Sequence, residues 1–210
     1  MTSFFLSLAL PFLFGIAFAS FFEWKLHRDV MHKPVRIKIP FWRTVSFTYA
    51  FKAHAVVHHQ IFKADETYHL KKEGDEITIP MAWWNGPVLI LIGTSPSAIL
   101  CLLIGHWNIA LGIFSAFCAY YALYESIHWC FHLPKNRWLE YLPGYKLLNS
   151  HHLLHHQHMG KNYNVVLPLA DICLGTFIWR ARDSFPQPQH DTLRDVQPPE
   201  TGKHSTWFEV

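Results

Sequence analysis

Charge is what this sequence has least of. Only 16% of its residues are Asp, Glu, Lys or Arg, against about a quarter in ordinary soluble domains. So thin a charged coat, on a chain that is 50% hydrophobic and 16% aromatic, points to a membrane protein in contact with the bilayer. The formal net charge of +3 is too small and too dispersed for a polyanion-binding surface, so no nucleic acid partner is expected. Cysteine is also scarce. Cys101, Cys118, Cys130 and Cys173 form no C-x-x-C and lie in apolar surroundings, so they read as small buried hydrophobes rather than ligands or disulfides. No nucleotide-binding glycine loop and no internal repeat is visible.

Three long apolar stretches dominate what is present. Residues 3–22 carry no charge, and about 20 apolar residues are enough to cross a hydrocarbon core. Ala17-Phe18-Ala19 resembles a signal-cleavage site, but no Lys or Arg precedes the run, and it flows unbroken into Glu23-Trp24-Lys25-Leu26-His27. A membrane anchor is therefore expected. Residues 25–76 are rich in Lys and Arg, which by the positive-inside rule puts them on the cytoplasmic face. Within them, residues 47–62 read as an amphipathic helix at the membrane surface. Residues 81–132 allow two further passes, at about 85–105 and 108–131, the first kinked by its prolines. Residues 133–145 form a connector. Beyond Arg182 the chain turns polar and Pro-rich, so the expectation is a membrane domain over 1–182 and a loosely held tail over 183–210. The expected fold is all-α, an integral membrane helical bundle of about three transmembrane spans with a cytosolic helical histidine-rich cap.

Histidine is the opposite extreme, with 16 residues. In Ser150-His151-His152-Leu153-Leu154-His155-His156-Gln157-His158, the rings of His152, His155 and His156 leave one side of a helix within a turn. Neutral imidazole is the commonest side-chain metal ligand, and crowded rings repel when protonated. His54, His58 and His59 form a second cluster, and His128 with His132 a third at helical i, i+4 spacing. His27 and His32 are five apart, which on a regular helix diverges by about 140°; they converge only if the helix ends or bulges between them. The three crossings bring all four clusters to the cytoplasmic level. His106 sits in the opposite turn as a bystander, and His190 and His204 lie in the tail. Ten imidazoles are too many for one ion, since an octahedral site takes six, so two metals with open positions fit the count. Iron suits a redox site beside an apolar substrate region, with zinc the default for a smaller site. Glu23 and Glu125 precede ligand histidines and are expected to accept ring N–H groups from behind the ligands. His151 and His158 are possible substitutes for members of the ten, and His69 a weaker reserve.

Glu23-x3-His27-Arg28-x3-His32, His54-x3-His58-His59, His128-x3-His132, His152-x2-His155-His156 and Asp171-x3-Gly175-Thr176 together resemble the fatty acid hydroxylase superfamily. That superfamily includes sterol desaturases and carotenoid hydroxylases. The likeness runs from about Glu23 to Thr176. It implies a membrane bundle capped by a cytosolic di-iron site whose metal ligands are His27, His32, His54, His58, His59, His128, His132, His152, His155 and His156. It further implies O₂-dependent oxidation of a lipid C–H bond, with fatty acyl hydroxylation the leading expectation. Two electrons would come from a separate carrier of the ferredoxin or cytochrome b5 type, since no such domain is fused here. Desaturation, or carotenoid or sterol hydroxylation, would use the same site. The second box departs from several relatives in having three residues, not two, between His54 and His58. The rival from another class is a membrane metal-binding or transport protein, but transport sites lie near the midplane and these spans hold no ionisable residue in their middles.

Overall fold

The computed structural model describes residues 2–38 and 44–179; the tail expected over 183–210, with His190 and His204, lies outside the described residues. Among the described residues, three helices are long and apolar enough to cross a membrane. They are α1 (Thr2–Leu26), α4 (Asn85–Leu103) and α5 (Trp107–His132). Between α1 and α4 come a short antiparallel hairpin, β1 (Val35–Lys38) with β2 (Thr44–Phe47), and a mostly π-helical segment. That segment comprises α2 (Tyr49–Phe51), a π-helix over Lys52–His58 and α3 (His59–Ile61). α6 (Tyr145–Gln157) and α7 (Leu169–Cys173) complete the cap. The hairpin is the one addition to the all-helical expectation. It begins just after Pro34, where Val35, Ile37, Thr44 and Val45 favour extended backbone.

α1 and α5 run side by side in the same direction, and small residues set how closely they approach. A Cβ on Gly15 would lie 2.6 Å from that of Ala116, and one on Gly112 would lie 2.8 Å from Cβ of Pro11 and 3.0 Å from the Leu8 carbonyl. Close backbone approach of this kind replaces the hydrophobic drive that is missing between helices in lipid. Pro11 costs α1 a hydrogen bond, because its nitrogen cannot donate to the carbonyl of Ser7. In a bilayer that carbonyl must still find a donor, and the side-chain amide of Asn108 on α5 supplies it at 3.3 Å. α4 packs antiparallel to α5, with Gly86 against Tyr121 and Gly93 against Phe117. Thr94 and Ser97 turn their hydroxyls back onto the carbonyls of Ile90 and Thr94 around Pro96.

The consequence is that α1 and α5 both end, and α4 begins, at the same end of the bundle. There Tyr124, Ile127, Cys130 and Phe131 of α5 pack with Tyr68, Tyr145 and Val165 into a buried core beneath the cap. The stretch after α6 is tied to α1: Ser20 donates to the Leu167 carbonyl at 2.7 Å, and the Trp24 indole donates to the Thr176 hydroxyl at 2.8 Å. The four cysteines form no disulfide. Cys173 is exposed rather than buried, because it falls on the outer side of the short α7.

Candidate metal centre

At the end of α1 the helix widens. Residues His27–Met31 are π-helical, and the His32 amide donates to the His27 carbonyl five residues back at 3.1 Å. This wide turn cancels the divergence expected of a regular helix. The two rings stack with centroids 5.1 Å apart. The second box uses the same device, the His59 amide reaching the His54 carbonyl across the Lys52–His58 turn. The third residue between His54 and His58 is thereby absorbed. His54 and His59 lie edge to face at 4.6 Å, while His58 points the other way, towards His128 at 4.7 Å.

All ten histidines singled out by spacing lie in two groups of five. One is His27, His32, His54, His59 and His155; the other is His58, His128, His132, His152 and His156. Within each group one nitrogen from every ring lies within 4.8 Å of all the others. The first and third boxes each serve a single group. The second and fourth straddle both, and the groups adjoin where His59 meets His156 at 4.2 Å between centroids.

The rings' outer nitrogens fix their protonation. Nδ1 of His155 donates to the carbonyl of Lys161 at 2.7 Å, His132 to that of Tyr68 at 2.8 Å and His156 to that of Phe62 at 2.5 Å. His27 donates likewise to Tyr163, and His58 to Thr78 at 3.3 Å. A carbonyl can only accept, so each of these neutral rings keeps its proton on Nδ1 and turns a bare Nε2 inward. Inside, Nε2 of His54 meets those of His27 and His59 at 2.8 and 3.0 Å. Nε2 of His152 meets those of His132 and His156 at 3.2 and 3.0 Å. His58 Nε2 and both nitrogens of His128 are buried with no hydrogen-bond partner among the described residues. A buried polar atom left so costs about 1–3 kcal/mol. Converging lone pairs and orphaned nitrogens are what a transition-metal cation would satisfy, so the donor set fits one.

Burial, reinforced by the neighbouring rings, holds His54, His59, His152 and His156 well below the ordinary imidazole range. His58 is lowered by the same causes, and His32 by burial and His155. For His155, burial outweighs the Lys161 carbonyl and brings it to about 4. The cap therefore presents neutral imidazoles at physiological pH, the form that binds metal.

A family model for fatty acid hydroxylase matches residues 12–176. The chain belongs to the fatty acid hydroxylase family. No curated protein and no solved structure matches it. Membership makes it a membrane-embedded oxidoreductase of the lipid hydroxylase and desaturase kind, and the two histidine groups fit the metal site such an enzyme needs.

Several residues of this family member stand elsewhere than their spacing suggested. Glu23 is buried but takes no ring N–H; its oxygens accept from Tyr120 at 2.6 Å, Asn164 at 3.0 Å and the Val165 amide at 2.7 Å. Glu125 accepts from Tyr121 at 2.6 Å. At His27 the Tyr163 backbone carbonyl does the work expected of Glu23, whereas neither nitrogen of His128 has a hydrogen-bond partner among the described residues. His151 lies outside both groups, 3.1 Å from Asp171 and stacked on Phe177. His158 ends α6, also outside them. His69 donates to the Phe131 carbonyl at 3.0 Å, and His106 is exposed at the far end of α5. Sequence reading missed the buried Asn162, Tyr163 and Asn164 of the turn after α6. Asn162, with φ of 55°, offers a weak signal, since asparagine tolerates that left-handed backbone.

Between α1, α4 and α5 lies an apolar cleft with a cavity volume of about 70 Å³, lined by Phe22, Leu26, Met31, Met81, Leu89 and Phe117 among others, and reaching Tyr124. The Tyr124 ring stacks on His128 with centroids 5.6 Å apart, so the cleft's inner end abuts the second histidine group.

Proposed function

We propose that the protein is an O₂-dependent di-iron hydroxylase that oxidises a C–H bond of a lipid, most simply a fatty acyl chain. Its metal ligands would be the ten histidines of the two groups. The observation that carries this reading is the pairing of two five-imidazole groups with an apolar cleft that ends against one of them. The cleft's hydrocarbon walls suit an acyl chain.

The chemistry two bound irons supply is activation of O₂, so that one oxygen atom enters the C–H bond and the other leaves as water, at the expense of two electrons and two protons. A ferredoxin or cytochrome b5 type protein would deliver those electrons. The chain's own residues do the rest. Tyr163, Lys161, Tyr68 and Phe62 carbonyls hold the Nδ1 protons and keep Nε2 unprotonated towards the metal. Burial of the rings excludes water from the oxidant. The cleft orients the substrate, with Leu26 and Met31 of its lining next to His27 and His32 in the chain and Tyr124 stacked on His128. Each group's five imidazoles would hold one ion. The same reading puts both groups on the cytoplasmic face of a three-span protein, because exposed Lys25, Arg28, Lys33, Arg36 and Lys38 surround the end of α1.

The test compares lipids extracted from cells with and without the protein, alongside iron per purified chain. Acyl chains gaining one oxygen, with two irons bound, support the proposal. Loss of a hydrogen pair would assign desaturation instead, and a chain that binds no transition metal would overturn the reading.

A further inference from the structure

The carbonyls that orient the rings come from two separate stretches of chain. His132, His156 and His58 lean on Tyr68, Phe62 and Thr78, all before α4. His27 and His155 lean on Tyr163 and Lys161, in the turn after α6. That second turn is built around one carboxylate. Asp171 is fully buried. Its Oδ1 accepts from the Tyr163 amide at 3.0 Å and the Thr176 hydroxyl at 2.6 Å; its Oδ2 accepts from the Asn164 amide at 2.7 Å and from His151 at 3.1 Å. Its own amide donates to Asn164 Oδ1 at 3.1 Å. Asn162, next in the turn, bonds the His151 carbonyl at 3.1 Å and accepts from the Ile178 amide at 2.7 Å. Among the described residues no hydrogen bond joins Asp171 to the 62–78 stretch.

Resting on the two-metal reading above, we propose that Asp171, through the 161–164 turn, is the positioning residue of the first histidine group and not of the second. Four donors converge on its two oxygens, which an amide cannot satisfy: in Asp171→Asn the new NH₂ would face two of them. The turn then shifts, the Tyr163 and Lys161 carbonyls move, and the His27 and His155 rings lose the bonds that hold Nε2 inward. Removing an outer support of this kind typically weakens metal binding about 10–100-fold.

Cobalt(II) titration of the full chain in detergent, followed by its visible spectrum, tests this without any activity. Wild type should take up two equivalents. Asp171→Asn should keep one at wild-type affinity and bind the other about 10–100-fold more weakly. Adding His54→Ala to Asp171→Asn should leave the remaining ion in place, whereas adding His128→Ala should weaken that one too. Should Asp171→Asn fail to fold, Thr176→Val removes one of the four bonds to Asp171, and the acceptor of the Trp24 indole with it, and should weaken one ion alone; Thr176→Ser, retaining the hydroxyl, should restore it. Equal weakening of both ions, or two ions at wild-type affinity in Asp171→Asn, would overturn the assignment while leaving the two-metal site intact. Failure of wild type to bind cobalt would instead overturn the metal reading, and this inference with it.

Discussion

Acid should dismantle the metal-free cap, and the size of the effect follows from the buried rings. Seven histidines outside the membrane-spanning helices have pKa values below the ordinary range: His32, His54, His58, His59, His152, His155 and His156. Unfolded, each would titrate near the usual 6.5 or so. The folded pKa is the lower one, so the unfolded chain binds more protons as pH falls. The folded state is thus most stable above about 6.5 and loses stability below it, at about 1.4 kcal/mol per pH unit per ring. At pH 5 that is about 2 kcal/mol for each ring whose folded pKa lies at 4 or lower. His32 and His155 lie in that range and together give about 4 kcal/mol, a large part of a typical stability of about 5–15 kcal/mol, and the other five rings act in the same direction. The assay is thermal unfolding of the apo protein in detergent between pH 7.5 and 5, followed by circular dichroism and tryptophan fluorescence. The midpoint should hold above pH 6.5 and fall steeply below it, with metal displacing the fall to lower pH. A midpoint flat from 7 to 5 would refute the claim that these rings are buried and neutral.

His155→Ala and His128→Ala each remove one ring from a different group; both should abolish lipid oxidation while the protein stays in the membrane fraction, each weakening one metal ion. Full activity in either, read by lipid mass spectrometry, would count against the ligand assignment. Glu23→Ala leaves the buried donors of Tyr120, Asn164 and Val165 without an acceptor and should destabilise by about 3–6 kcal/mol, seen as a lowered thermal midpoint. Gly112→Val drives side-chain atoms into Pro11 and the Leu8 carbonyl; the expected loss is about 1–3 kcal/mol, and an unchanged midpoint would mean the helices are not so close. Deleting Val56 should convert the wide turn of the second box to ordinary α winding and leave His54 and His59 on one side at i, i+4 spacing, so direct metal analysis should find the stoichiometry unchanged, and its loss would count against the bulge as the absorber of the extra residue.

The spans were legible because membrane length is a one-dimensional constraint: a run of apolar residues either crosses a hydrocarbon layer or does not. The stretch expected at 85–105 is a helix over Asn85–Leu103, and that expected at 108–131 one over Trp107–His132. The five-residue spacing of His27 and His32 required the helix to end or bulge between them, and the structure takes the bulge. The short hairpin was less visible because four-residue strands give too few alternations to register. The supports of the rings could not be found at all. A backbone carbonyl has no letter of its own, and Tyr163 meets His27 from 136 residues away.

Spacing and composition by themselves determined that this chain crosses a bilayer and that ten histidines converge at one end of it, because helical periodicity and apolar length act within single segments. Only the tertiary structure decided how the ten divide. His58 and His59 are neighbours in sequence yet belong to different groups, and His155 parts from His156 in the same way. A helix whose opposite sides face two different partners sends adjacent side chains to each, and which partner stands on which side is set by packing between elements far apart in the chain.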